Sequence, residues 1–150
     1  MDLASFLNAK QIKDLARIIS EAELLTSGEI RLHLEEKCEI ETEARALEVF
    51  YSLNMGNTKL KNAVLLYISY GDQKFAICGD EGIHKYVSNR FWKSLKNSLK
   101  RAFGKKDFFN GISVTIMECG RQLRTYFPYQ YDDINELENH VTFEKDLKSC

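Results

Sequence analysis

The sequence predicts an α/β protein, a three-layer α/β/α sandwich built on a small mixed β-sheet of about four strands. Three observations carry that reading. Glu29-Ile-Arg-Leu-His-Leu-Glu35 alternates apolar and polar residues with period two, the mark of a strand. Ala63-Val-Leu-Leu-Tyr-Ile68 is apolar throughout, which suits a strand covered on both faces. Segments of helical period stand before, between and after these two runs.

Taken in order, Asn8 with Gln11 has the spacing of a capping box, and Ile12, Leu15, Ile19 and Ala22 fall on one face of the helix that follows. Thr26-Ser27-Gly28 stops it. The first strand comes next, and its alternation predicts one buried face and one polar face, with His33 half-exposed. Thr42 opens a second helix that turns Ala46, Phe50 and Leu53 inward and ends near Gly56. After the second strand, Tyr70-Gly-Asp-Gln73 is a turn signal, so Lys74–Cys78 returns as the antiparallel arm of a hairpin. Ile83–Val87 reads as one short helical turn. Ser88 is the N-cap of a helix from about Asn89 to Phe103, with Phe91, Leu95, Leu99 and Phe103 inward. A last helix, about Phe108 to Tyr126, ends before Pro128. The acidic tail Tyr129–Cys150 holds Ile134, Leu137, Val141 and Phe143, and it reads as an ordered extension with a short strand at Val141–Phe143.

At 150 residues the chain reads as one domain, with a core over about 8–127 and a C-terminal extension over about 128–150. Net charge is −1, so no global basic field points to nucleic acid. No apolar run approaches the ~18 residues that span a bilayer, and the N-terminus lacks the pattern of a signal peptide. The expected location is therefore cytoplasmic. Four cysteines without a C-x-x-C pair argue against a zinc ribbon or redox motif. Cys78 and Cys119 sit in apolar patterns as small core residues.

The right-handed crossover rule makes the first two strands parallel. The start of strand one (Thr26–Glu29), the start of strand two (Thr58–Asn62) and the end of strand three (Gly79–Gly82) then share one edge of the sheet, which gathers Glu29, Asp80 and Glu81. Gly79-Asp80-Glu81-Gly82 has two readings. Asp80 can cap the next helix, accepting backbone N–H bonds at the positive end of its dipole. Asp80 and Glu81 can instead be ligands of a hard cation, with the glycines letting backbone carbonyls approach. In the tail, Asp132, Asp133, Asn135 and Glu136 have the composition of a calcium loop without the EF-hand spacing; the plainer reading is a solvated acidic turn. Glu35, Glu36 and Glu39 form a third acidic group expected at the opposite edge. His33 and His84 lack zinc-ligand spacing. The lysines of 96–106 read as a solvated helix face that could meet an anionic partner or lipid headgroups.

Five stretches, "TSGEIRLHL" (26–34), "KNAVLLYIS" (61–69), "KFAICGDEGI" (74–83), Phe91-Trp92 and "FGKKDFFNGI" (103–112), occur in an order and spacing that resembles the TPM domain. That family is named for a thylakoid lumen phosphatase, a photosystem II repair protein and a receptor modulator. The resemblance covers about residues 8–127 and suggests a stand-alone, bacterial-type member. It implies an α/β/α fold and divalent cations as ligands. For some members it implies acid phosphatase activity, for others repair or modulatory roles. From the residues alone phosphatase chemistry finds little: no C-x5-R, no D-x-D after a strand and no phosphate-binding glycine loop. An enzyme here would need metal-assisted hydrolysis, with Asp80 as ligand and Asp107 as a helper. The leading expectation is thus a divalent-cation-binding domain, calcium preferred and magnesium the alternative, with a metal-responsive regulatory or protein-interaction role. The alternative is a metal-dependent acid phosphatase.

Overall fold

The computed structural model describes residues 1–130 and 140–147. Its helices are α1 (Leu3–Phe6), α2 (Ala9–Glu23), α3 (Thr42–Ser52), α4 (Glu81–His84), α5 (Asn89–Gly104) and α6 (Phe108–Tyr126). Its strands are β1 (Glu29–Glu35), β2 (Ala63–Ser69), β3 (Lys74–Gly79) and β4 (Val141–Phe143). The sheet order is β3-β2-β1-β4. β1 runs parallel to β2 and β4, and β2 is antiparallel to β3, so the sheet is mixed.

Local chemistry accounts for most boundaries. The Asn8–Gln11 capping box is formed, each side chain accepting the other's backbone N–H at 2.8 and 2.9 Å. The Ser88 hydroxyl accepts from Phe91 N, as expected of an N-cap. Lys106, with φ of 58°, turns the chain out of α5 and into α6. Gly111 lets the two helices close: a Cβ there would lie 2.5 Å from the Cβ of Ala102. α4 begins at Glu81, two residues earlier than the sequence suggests, because Asp80 caps it.

The sheet separates two cores. On one side Ile30, Leu32, Leu34, Val64, Leu66 and Ile68 pack with α2, α5 and α6 through Leu15, Ile19, Leu99, Ile112 and Ile116. On the other side Ala63, Leu65, Tyr67 and Ala76 pack with α3 through Ala46, Val49 and Phe50. Helices therefore cover both faces, an α/β/α sandwich. Burying a side chain such as Leu99 or Ile116 contributes about 1.5–3 kcal/mol.

One expectation fails at β1. All seven of its residues are buried, and His33 is fully enclosed instead of half-exposed. β4 and the turn Glu144–Asp146 run along the outer side of β1, and Leu147 joins the α3-side core. The polar residues of the strand, Arg31, His33 and Glu35, are thereby shut away from water. Burial without loss then requires partners, and these are found.

Candidate functional site

The expected sheet edge is present. β1 starts at Glu29, paired with Ala63 at the start of β2, and the Asp80 backbone N–H donates to the Ala63 carbonyl at 2.9 Å. Three loops thus meet in one row. Gly82 seats the third loop on the second: a Cβ there would lie 2.3 Å from the Leu60 carbonyl oxygen and 2.5 Å from that of Lys61. The glycine is required by this close approach of backbone. Ser27 joins the first loop to the second, its hydroxyl lying 3.4 Å from Asn62 Nδ2. The end of α6 docks here too, with the Ser27 N–H donating to the Phe127 carbonyl at 2.9 Å and Pro128 bridging Thr26.

Asp80 fills the capping role. One oxygen, Oδ1, accepts from the Glu81 N–H at 2.7 Å. The other, Oδ2, is buried and has no hydrogen-bond partner, and the residue as a whole is 9% exposed. Asn62, 1% exposed, likewise leaves its side-chain oxygen unpartnered. The indole N–H of Trp92 is the third buried polar atom without a partner among the described residues. Its ring lies against Gly79, where a Cβ would come within 3.3 Å. Two of the three atoms thus belong to residues of this edge, and the third to a ring of α5 that packs against its Gly79. Buried polar groups are nearly always satisfied, so their concentration here has to be explained. His84, one turn on, places Nε2 2.9 Å from the Gly79 carbonyl oxygen.

The other expected ligands divide. Glu81 is exposed in the first turn of α4 and meets Asp80 through its backbone N–H, with no side-chain bond to it among the described residues. Asp132, Asp133, Asn135 and Glu136 lie outside the described residues. Asp107 is no helper to Asp80. It sits in the α5–α6 corner, where Phe108 packs on Phe103 and Phe103 on Phe75 at the start of β3. Asp80 is at the far end of that strand. Among the described residues no three His, Cys, Asp or Glu side chains converge as a metal group. The donors at this edge are instead the Asp80 carboxylate, the Asn62 amide and nearby backbone carbonyls, with the buried Glu29 opposite Ala63 at the start of β1, all hard oxygens.

At the opposite end of the sheet lies a buried polar network that the sequence did not reveal. Glu35 accepts from the Tyr67 hydroxyl at 2.6 Å, from Arg45 Nε and Nη2 at 2.8 and 3.0 Å, and from His33 Nε2 at 3.0 Å. His33 Nδ1 lies 2.8 Å from the Thr142 hydroxyl, which ties β4 to β1. Burial pushes the Glu35 carboxyl up, but the hydrogen bonds from His33, Arg45 and Tyr67 outweigh it and hold the group down to about 2. Burial and the bond to Glu35 raise the Tyr67 phenol. With Glu35 ionised, and so an acceptor only, His33 must donate from Nε2; in the neutral imidazole Nδ1 then accepts the Thr142 proton. A cavity of about 470 Å³ opens beside this network, lined by Glu35, Glu36, Glu39 and Glu48 with Lys37 and Arg45. The third acidic group thus lies at the edge expected of it, but Glu35 is consumed by structure.

The TPM domain profile matches residues 1–122. The BA42 protein of the psychrophilic bacterium Bizionia argentinensis, solved by NMR, is 42% identical and superposes with a TM-score of 0.87, covering 95% of this chain and 98% of that one. The N-terminal domain of the cg2496 protein of Corynebacterium glutamicum shares the fold alone, with 8% identity and a TM-score of 0.60 over 89% of this chain and 78% of that one. No curated protein matches the chain. On the strength of the profile and the BA42 likeness, the chain belongs to the TPM domain family.

Proposed function

We propose that the chain binds a divalent cation, calcium in preference to magnesium, at the Asp80 edge, and serves as a metal-responsive regulatory or protein-interaction domain. The observation that carries this reading is the free oxygen of Asp80. A buried carboxylate oxygen with no donor costs about 1–3 kcal/mol or more. A hard cation removes that cost and also satisfies Asn62 Oδ1. Calcium accepts six to eight oxygens in loose geometry, including amide and backbone carbonyls, whereas magnesium demands a near-ideal octahedron. The mixed oxygens of three loops suit the first ion better. Asp132, Asp133, Asn135 and Glu136 are proposed to complete the shell; their segment departs from Pro128, which is anchored on this same edge. Cation binding would then join tail and sheet edge, and metal level would set the shape of this surface. Calcium titration by calorimetry tests the reading: saturable binding that is lost in Asp80→Ala and weakened in Asn62→Ala is expected. Unchanged affinity in Asp80→Ala sinks it.

One observation favours a second reading, metal-dependent hydrolysis of phosphomonoesters. The buried, unpartnered Trp92 indole N–H is a donor that an oxygen of a bound anion would satisfy, and its ring packs against Gly79. A phosphate-ester assay with and without metal, repeated on Asp80→Ala, separates the two. Activity that requires both metal and Asp80 supports the hydrolase, and binding without turnover supports the regulatory role.

A further inference from the structure

Residues 82–106 hold eight of the chain's 21 lysines and arginines and none of its 22 acidic residues, in a protein of net charge −1. The charge is also ordered. α5 buries Leu95, Leu99 and Phe103. At 100° per residue Arg90, Lys93, Lys100 and Arg101 fall about 100–180° from the middle of that stripe, on the outer half of the helix. Lys105 and Lys106 continue the row past its end, for a length of about 24 Å. Lys96 meets Glu43 at 3.7 Å, while the others in the stretch form no ion pair among the described residues. Every exposed residue of α5 is polar or glycine. Tyr86, just before α5, stacks on Tyr126 at the end of α6 with ring centroids 5.5 Å apart. Both rings are exposed, as is Tyr129.

We propose that the outer face of α5 docks the protein on an anionic lipid surface, with the row of cations over the headgroups and the tyrosine cluster at its N-terminal end settling at the interface. The shape of the face selects this occupant. A protein partner of useful affinity needs an apolar anchor in a desolvated centre, and the row has none. Single-stranded nucleic acid would want a groove with stacking rings along it, whereas this is a convex ridge whose rings sit at one end. A plane of anionic headgroups needs only several outward cations held rigidly, and each contributes additively. Tyrosines favour the headgroup level, where the ring is covered and the hydroxyl stays wet. Nothing in this docking uses Asp80 or a metal.

The test is co-sedimentation of the full chain with phosphatidylserine–phosphatidylcholine vesicles, in chelator, over a salt series. Binding at low salt that falls steeply as salt screens the row is expected, with none to phosphatidylcholine alone. Lys93→Glu, Lys100→Glu and Arg101→Glu together should lower the partition coefficient about tenfold or more. Lys13→Glu, Lys37→Glu and Lys74→Glu make the same change in net charge elsewhere and should bind as the parent does. Amide spectra of both variants verify the fold. The proposal is overturned by absence of sedimentation at low salt, or by equal loss in both triple variants. Tighter binding to duplex DNA than to the vesicles also overturns it, as does a self-associated species abolished by the α5 substitutions, which would place the row against the acidic end of a second copy.

Discussion

Replacing Glu35 by alanine should be among the most damaging single changes in the molecule. Its carboxylate accepts four hydrogen bonds, two from the Arg45 fork and one each from Tyr67 and His33. Arg45 can recover water, since its side chain is 24% exposed. Tyr67 and His33 are fully buried and cannot. Two stranded donors at about 1–3 kcal/mol each, plus the cavity left by the side chain, give a loss of about 3–5 kcal/mol, the range for breaking a buried ion pair. The same hydrogen bonds show in the ionisation of the carboxyl. Glu35 ionises at about 2 in the folded chain against a reference of 4.5, which corresponds to about 3 kcal/mol. The folded value is the lower one, so the unfolded chain binds the proton first. The stabilisation is complete above about pH 4.5 and is lost as pH falls toward about 2. Urea unfolding of the parent, Glu35→Gln and Glu35→Ala between neutral and acid pH measures both quantities. The parent should lose about 3 kcal/mol over that window through this group, and Glu35→Gln should lose that much less. A cost below about 1 kcal/mol for Glu35→Ala at neutral pH, or an acid profile that Glu35→Gln leaves unchanged, refutes the network as a source of stability.

Gly82→Ala should cost about 1–3 kcal/mol, because its Cβ would overlap the carbonyls of Leu60 and Lys61 and the loop would have to move; thermal denaturation reads this, and an unshifted midpoint contradicts the packing described. Burial pushes the Cys119 thiol up to about 12, so it should not react with a thiol reagent at neutral pH until the chain unfolds, whereas Cys78, half-buried with its thiol pushed up to about 11, should react slowly in the folded chain. Rapid labelling of Cys119 in native protein, seen by mass spectrometry of its peptide, would mean that α6 opens. Thr142→Val should free one nitrogen of His33 and loosen β4, raising amide exchange at Leu32 and Leu34 while the β1–β2 pairing stays protected.

Much of this arrangement could be read in advance because it rests on local rules. Capping at Asn8 and Ser88, the hairpin at Tyr70–Gln73 and the parallel pairing of β1 with β2 across a helical crossover depend on residues near one another in sequence or on general rules of chain connection. They place Thr26–Glu29, Asn62 and Asp80 on one edge without further information. What escaped is non-local. The alternation of β1 gives a polar face but cannot say what covers it, and the cover is a strand of three residues whose Thr142 is 109 positions from His33. The same limit hid Glu35, which reads as one more acid in a run of acids. Asn62 escaped for another reason. An asparagine ahead of a strand is ordinary turn chemistry, and only burial with an unpaired oxygen sets it apart. Asp80 was legible as a cap, and its second oxygen is what lets a ligand role stand beside capping.

The central claim, a cation held at the Asp80 edge, is tested most directly by titrating calcium into chelator-treated protein and following amide resonances with the indole N–H of Trp92, the chain's one tryptophan. Saturable shifts at Ser27, Asn62, Gly79–Gly82 and the Trp92 indole, absent in Asp80→Asn, are the predicted result. No shifts up to millimolar calcium or magnesium, or shifts confined to Glu35–Glu39 around the acidic cavity, would contradict it and leave Asp80 as a helix cap.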